Sequence, residues 1–131
     1  MEQLELEGFK PLDAWTSPAS RVHRHSHIHH QPGLYAFVVD GVVCYVGQAE
    51  RLHRRLRNYS NRCFGAAQGK DPRACHVGIV EAIGSGRHVH VWVRPMPVED
   101  LDAEEMRLRN ELQPAWDRTA AERRVPTDPA L

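Results

Sequence analysis

The sequence has no long hydrophobic stretch, and its first residues include no basic segment followed by an apolar one. Apolar runs such as residues 42–46 are far too short to cross a bilayer, so we expect no membrane-spanning helix and no membrane partner. A secretion signal is not expected either. With 131 residues and an ordinary share of apolar side chains, the chain has the size of one globular domain with its own core.

Cysteine is scarce, and the cysteines present are far apart. Cys44, Cys63 and Cys75 form no C-x-x-C pair. An odd number of cysteines without such a pair is typical neither of a disulfide framework nor of a thiolate zinc site. We therefore expect free, reduced thiols and a cytoplasmic protein.

The sequence also has no excess of charge, because 17 basic residues balance 17 acidic ones. This balance argues weakly against nucleic-acid binding, since phosphate neutralisation supplies most of the non-specific affinity for nucleic acid. Between residues 47 and 75, however, seven basic residues stand against two acidic ones, an excess of five positive charges. Such a local patch can steer a polyanion whatever the total charge, although a solvated helix face has the same composition.

The hydrophobic pattern predicts three strands. Residues 34–39 and 42–46 are β-branched and aromatic runs on either side of Asp40-Gly41, a dipeptide that favours the tight turn of a hairpin. Residues 88–93 alternate between apolar and polar side chains and are predicted as the third strand. We expect these strands to form one small antiparallel sheet.

Three helices are predicted around these strands. The first, residues 49–59, has leucines at helical spacing, and the second, residues 74–83, follows an Asp-Pro start signal. The third, residues 100–112, has acidic residues in its first turn and a proline beyond its end. The predicted fold is α+β in the order β-β-α-α-β-α, a three-stranded antiparallel sheet flanked by helices.

Residues 1–32 contain three prolines and a histidine-rich run, and they are predicted to form an irregular arm. In that run, RVHRHSHIHH, alternate histidines share one face if the segment is extended. Zinc binding by this face is one interpretation, but contact with DNA or a strand beside the hairpin is favoured, because no cysteine or carboxylate completes a ligand set. Residues 33–118 are predicted to be the functional domain and residues 119–131 a tail.

Two triplets lie at matched points of the predicted hairpin, Gly33-Leu34-Tyr35 in its first strand and Tyr45-Val46-Gly47 at the end of its second. They resemble the two halves of the motif that names the GIY-YIG nuclease superfamily. The ten residues from Gly47 follow the register G-K-A-x-x-L-x-x-R-L of the UvrC N-terminal endonuclease type, and Glu105 precedes Pro114 by nine residues, as in the family. The resemblance covers roughly residues 33–118, and it implies the GIY-YIG nuclease fold.

The resemblance implies a role for each matched residue. The catalytic set would be Tyr35, Tyr45, Arg55, Tyr59 and Glu105. Tyr35 would be the candidate general base, and Glu105 would be the ligand of one Mg²⁺ or Mn²⁺ ion, since a carboxylate suits a hard cation. Arg55 would bind the phosphate through its fork of donors.

Further residues are predicted to contact nucleic acid or to support the site. The expected nucleic-acid contacts are Gly47, Gln48, Arg51, Arg54, Arg57, Arg62 and Lys70. Gly33 and Asp117 are the expected supporting residues. Two positions depart from the family, because Gln48 stands in place of a common lysine and Asp117 in place of the usual asparagine. His76 is singled out, because some relatives place a histidine near the metal.

The function implied is that of a divalent-metal-dependent endonuclease that hydrolyses DNA, with RNA as an alternative substrate, and leaves 5′-phosphate and 3′-hydroxyl ends. A catalytically silent module that binds nucleic acid or a protein partner is a second interpretation, favoured by Gln48, Asp117 and the zero net charge. A third is a dimeric restriction-type endonuclease whose residues 1–32 or 64–72 read bases. Targeting by a homodimer, by a separate partner or by neither is left open, because no separate DNA-binding domain is apparent.

Overall fold

The computed structural model describes residues 1–69 and 73–116. The elements in chain order are helix α1 (Glu2–Leu6), strand β1 (Lys10–Trp15), a 3₁₀ turn (Ser26–Ile28), strands β2 (Gly33–Val39) and β3 (Val42–Ala49), helices α2 (Leu52–Phe64) and α3 (Ala74–Gly84), strand β4 (Val89–Pro95), a second 3₁₀ turn (Val98–Asp100) and helix α4 (Leu101–Leu112). Within these described residues, no helix is long and apolar enough to cross a membrane.

The sheet is antiparallel throughout, with the strand order β1-β4-β2-β3. The predicted hairpin is present as β2 and β3, and both turn residues have positive φ, 51° at Asp40 and 76° at Gly41. Glycine adopts this conformation without strain and aspartate tolerates it, which is why the dipeptide marks a hairpin.

The α+β class is confirmed, but the sheet has four strands rather than the three predicted. The additional strand, β1, lies in the segment that was expected to be an irregular arm, and it pairs with β4 at one edge. Its sequence, KPLDAW, contains a proline and leaves only Trp15 buried, and the pairing shifts register between Pro11 and Asp13. Proline is tolerated at a sheet edge because the backbone N–H groups that face away from the sheet need no partner there. An edge strand can therefore have a sequence with little strand character.

Two apolar layers cover the sheet. Tyr35 and Phe37 of β2 face α2 and α3, where they pack in one cluster with Leu52, Leu56 and Ile79. The alternate residues Leu34, Ala36 and Val38 belong to a second cluster with Leu4 of α1 and with Leu101 and Leu108 of α4. Because the central strand β2 is covered on both faces, all seven of its residues are buried, which explains its continuous apolar sequence.

After α4 the chain returns to the free edge of β3. The backbone N–H of Ala115 donates to Val43 O at 3.3 Å, and that of Trp116 donates to Cys44 O at 2.6 Å. The Trp116 ring lies against Gly78 of α3, where no side chain would fit. This segment therefore closes the edge of the sheet nearest to the predicted catalytic residues.

The predicted tail, residues 119–131, lies outside the described residues, and the division into domains stays a prediction.

Candidate active site

The register of the hairpin places Tyr35 directly opposite Gly47. A Cβ atom at Gly47 would lie 2.5 Å from Cζ and from the hydroxyl oxygen of Tyr35, and 2.9 Å from Cε2 of Tyr45. These distances are far below van der Waals contact, so only glycine leaves room for the Tyr35 ring to lie across β3. The tyrosine of the first triplet, Tyr35, and the glycine of the second, Gly47, are thus in direct contact.

Three tyrosines form a buried cluster on this face of the sheet. The ring centroid of Tyr35 lies 6.1 Å from that of Tyr45 and 5.7 Å from that of Tyr59, which comes from α2. The hydroxyl oxygens of Tyr35 and Tyr59 are 2.8 Å apart and share a hydrogen bond, and the Cys75 thiol lies 3.7 Å from the Tyr59 oxygen. Tyr35 is 1% exposed and Tyr59 is 3% exposed.

Burial determines the charge state of these phenols. It raises the pKa of Tyr35 and of Tyr59 well above 10, and it raises the pKa of Tyr45 as well. The positive charge of Arg55 acts on Tyr35 in the opposite direction, but its effect is smaller than that of burial. All three phenols are therefore protonated at neutral pH in the free protein, and each can donate a hydrogen bond.

Glu105 reaches the tyrosine cluster through Arg109, one helical turn later on α4. Nη2 of Arg109 lies 3.2 Å from Oε2 of Glu105 and donates to the Tyr45 hydroxyl at 3.2 Å, while Nε donates to Val46 O at 3.1 Å. The guanidinium also lies over the Tyr45 ring, 5.4 Å from its centroid. Arg109 is not among the residues predicted from the sequence. Its i,i+4 spacing from Glu105 is the signal that could have indicated it.

The other two glutamates of α4 have different partners. Glu104 accepts from Arg94 at 2.6 Å and from Arg107 at 2.7 Å, and these hydrogen bonds lower its pKa to about 2. Glu111 also pairs with Arg107, at 3.0 Å. The structure thus places Glu105, rather than either neighbour, beside the tyrosines.

Arg55 projects from α2 into solvent between two clefts. The first, of about 660 Å³, lies between α2 and the 30–32 segment, and its lining includes His30, Glu50, Arg51, Arg54, Arg55 and Asn58. The second, of about 420 Å³, lies between α2 and α3 and is lined by Arg55, Asn58, Tyr59, Arg62, Arg73 and His76. The predicted contact Arg57 lines neither cleft. Its charge instead acts on His23 and His53.

Gln48, which replaces the family's lysine, has a structural partner. Its side-chain amide donates to Asp102 Oδ1 at 2.6 Å and so connects the end of β3 to the start of α4. Gly33 allows β2 and β4 to approach closely, since a Cβ there would lie 2.7 Å from Arg94 O. Lys70 and Asp117 lie outside the described residues, so their assigned roles stay predictions.

The histidine-rich segment is not an extended strand, because it contains the 3₁₀ turn Ser26–Ile28. His25 forms a hydrogen bond with Asp13 at 2.8 Å, whereas the rings of His29, His30 and His53 contact one another edge-on or tilted near the larger cleft, with centroids 3.9 to 5.5 Å apart. Among residues 1–69 and 73–116, no group of three or more potential ligands could hold a metal ion.

Solved structures of endonucleases share this architecture. A mutant of bacteriophage T4 EndoII matches with a TM-score of 0.71 at 16% identity, over 89% of this chain and 98% of the other. Two point mutants of the GIY-YIG N-terminal endonuclease domain of UvrC from Thermotoga maritima, each bound to its catalytic divalent cation, match with TM-scores of 0.50 at 23% and 24% identity. Both matches cover 69% of this chain and 86% of the UvrC domain.

No family model matches the sequence, and no curated protein matches it significantly. At these identities the structural likeness establishes the fold alone. It agrees with the resemblance carried by the two triplets and by the residues that follow them. This chain has the fold of the GIY-YIG nuclease superfamily.

Proposed function

We propose that the protein is a divalent-metal-dependent endonuclease that hydrolyses phosphodiester bonds of DNA, with RNA as the alternative substrate. One observation carries the proposal. The Tyr35 ring lies about 6 Å from the rings of both Tyr45 and Tyr59, the charge of Arg55 acts on Tyr35, and the charge of Glu105 acts on Tyr45. Aromatic residues alone would make an ordinary core. A cation fork and a carboxylate at its rim supply the groups that phosphodiester hydrolysis needs.

The donor set fits one hard cation held mainly by its substrate. The charge of the Glu105 carboxylate acts on Tyr45, and a Mg²⁺ or Mn²⁺ ion bound through one carboxylate takes its remaining ligands from water and phosphate. The related UvrC domain binds a catalytic divalent cation, which supports this assignment. The ion would offset negative charge on the phosphate and on the leaving 3′ oxygen.

The side chains divide the remaining work. Arg55 holds the scissile phosphate with parallel N–H donors at the mouth of the tyrosine cluster. Arg109 holds Glu105 and Tyr45 in a fixed relation, so it acts as a positioning residue. Tyr35 and Tyr59 share one hydrogen bond between their oxygens, and Tyr59 also interacts with the Tyr45 hydroxyl. A hydroxyl proton of this three-tyrosine network would orient a phosphate oxygen or the attacking water.

Protonated Tyr35 in the free protein limits its role as a base. Burial raises its pKa, so it can accept a proton only after the charges around it change on binding. In the ground state we assign it the orientation of water. Loss of its hydroxyl should therefore lower the rate of cleavage more than the affinity for DNA.

Cleavage of supercoiled plasmid with Mg²⁺, Mn²⁺ or EDTA tests the proposal. We expect nicking with either metal and none with EDTA, complete loss in Glu105→Gln and strong loss in Tyr35→Phe. Glu81→Gln, an exposed carboxylate on α3, is the matched control and should cleave normally. The protein could instead bind duplex, branched and single-stranded DNA and RNA without cleaving any of them with either metal. That result would refute the endonuclease and favour the catalytically silent binding module. Discrete fragments would favour the restriction-type interpretation.

A further inference from the structure

The cleft between α2 and α3 lies beside the tyrosine–glutamate site and shares Arg55 and Tyr59 with it, but the rest of its lining comes from other residues. Arg55, Arg62 and Arg73 contribute three positive charges to its lining, and none of its described lining residues is acidic. Asn58, Tyr59 and His76 add neutral polar groups. This surface is the His76 cleft. Its composition suits an anion with several acceptor oxygens.

His76 is held in one tautomer at the wall of this cleft. The residue is 8% exposed and is the third of α3, and its Nδ1 accepts the backbone N–H of Arg73 at 3.1 Å. The neutral ring therefore carries its proton on Nε2. In the described part of the chain, no residue accepts a hydrogen bond from this Nε2–H group.

The surroundings keep the His76 ring neutral. Burial lowers its pKa, and the charges of Arg62 and Arg73 lower it further. The Tyr59 ring, with its centroid 5.2 Å away, limits how the imidazole can turn. The cleft thus presents the neutral Nε2–H donor of His76 between arginine side chains. Together these donors can bind several oxygens of one phosphate group.

The position of the cleft indicates which phosphate it would bind. Arg55 and Asn58 line both this cleft and the larger one, so a strand whose scissile phosphate lies at Arg55 can continue into either. Tyr59 lines the His76 cleft and is hydrogen-bonded to Tyr35, so a neighbouring phosphate here would lie next to the reacting group.

We propose that Arg73 and His76 form a phosphate subsite that binds the phosphodiester adjacent to the one that is cleaved, on the same strand. The proposal rests on the proposed endonuclease function and adds two residues to it. It requires a substrate that extends beyond the cleaved bond on this side, as an internal site in a nucleic acid does.

Binding in EDTA, where cleavage is excluded, tests the subsite independently of activity. The probe is a short fluorescein-labelled DNA duplex followed by anisotropy at several salt concentrations. Arg73→Gln should weaken binding and reduce the salt slope by about one counterion, because it removes one charge contact. His76→Glu should weaken binding by about tenfold or more, since it places an anion against the phosphate.

Two further variants separate the subsite from an effect on folding. Glutamate and glutamine at the third position of a helix both accept the N-cap N–H, so His76→Glu and His76→Gln should each keep the start of α3. His76→Gln retains an N–H donor and should bind within about threefold of the wild type. Arg87→Gln, which loses an exposed pair with Asp40 and a hydrogen bond to Ser85, should bind as the wild type does.

The outcomes distinguish the two proposals. Unchanged affinity in His76→Glu, or an unchanged salt slope in Arg73→Gln, would overturn the subsite even if the protein cleaves DNA. If Arg73→Gln and His76→Glu both weaken binding but the wild type cleaves nothing under any condition, the endonuclease is refuted. Binding of a phosphate by Arg73 and His76 would still stand. If inorganic phosphate displaces the duplex at concentrations near those of the protein, the cleft is a site for free phosphate and the proposal fails.

Discussion

The hydroxyl oxygens of Tyr35 and Tyr59 lie 2.8 Å apart, although 24 positions separate the two residues in the chain. This bond joins the central strand β2 to α2 inside the core. Replacing either tyrosine by phenylalanine leaves a buried hydroxyl without its phenolic partner, which costs about 1–3 kcal/mol of unfolding free energy. Urea denaturation of the two single variants measures this cost.

The double variant Tyr35→Phe/Tyr59→Phe removes both partners together. We expect it to be destabilised by clearly less than the sum of the two single variants, because no hydroxyl is left unpaired. Strict additivity would show that the two oxygens do not interact.

Gly47→Ala should be strongly destabilising, because the new methyl group would overlap the ring of Tyr35 on the neighbouring strand. Overpacking of this kind costs about 1–3 kcal/mol. Gly84→Ala is the matched control, since it lies at the end of α3 with no atom near its Cβ position. Alanine is the better helix former, so this control should equal or exceed the wild type in thermal stability. Equal melting temperatures for the two variants would contradict the contact.

Arg109→Gln tests the positioning of Glu105 and Tyr45. It removes the guanidinium that contacts both groups, so we expect kcat to fall while the affinity for DNA changes little. The half-saturating Mg²⁺ concentration should also shift, because the charge next to Glu105 changes. Arg107→Gln is the comparison, since that arginine pairs with Glu104, Glu7 and Glu111 away from the tyrosines. It should lower stability and leave the metal dependence unaltered. If the wild type and Arg109→Gln have the same dependence of activity on Mg²⁺ concentration, Arg109 does not position Glu105.

Stability should depend on pH through His76. Its folded-state pKa is lowered from 6.5 by burial and by Arg62 and Arg73, so the unfolded chain takes up a proton at a higher pH than the folded protein does. The contribution of His76 to the free energy of unfolding is therefore fully present above pH 6.5. It is lost as the pH falls toward the folded-state pKa of His76.

Urea midpoints measured across this range should decline below pH 6.5, and His76→Gln should reduce the decline. The carboxylate of Glu104 acts in a separate window, because its pKa falls from 4.5 to about 2. A His76→Gln profile parallel to that of the wild type would assign the decline to other histidines with lowered pKa values, such as His23.

Two arginines of α2 should contribute unequally to DNA binding. Arg54 lines the larger cleft and Arg57 lines neither. Arg54→Gln should reduce the salt slope of binding by about one, whereas Arg57→Gln should leave it nearly unchanged. Because the two residues share a helix and a charge, equal effects would show that the whole helix face, rather than the cleft, attracts the nucleic acid.

Features that depend on neighbouring residues could be predicted from the sequence. Asp40-Gly41 specifies its turn through its own backbone preferences, so the hairpin and the pairing of Tyr35 with Gly47 follow from a few adjacent positions. Strand and helix periodicity likewise predicted the α+β class and its main elements. The motif spacing indicated Glu105, which the structure then places beside Tyr45.

The tertiary structure alone decided the features that join distant segments. Strand β1 forms because β4 offers it a free edge, and its own sequence has little strand character. Arg109 becomes part of the site because α4 packs along β3, and Gln48 finds Asp102 for the same reason. The His76 cleft exists only where α2 and α3 meet. A local pattern specifies the conformation of its own residues, whereas contacts between distant residues depend on how whole helices and strands pack together.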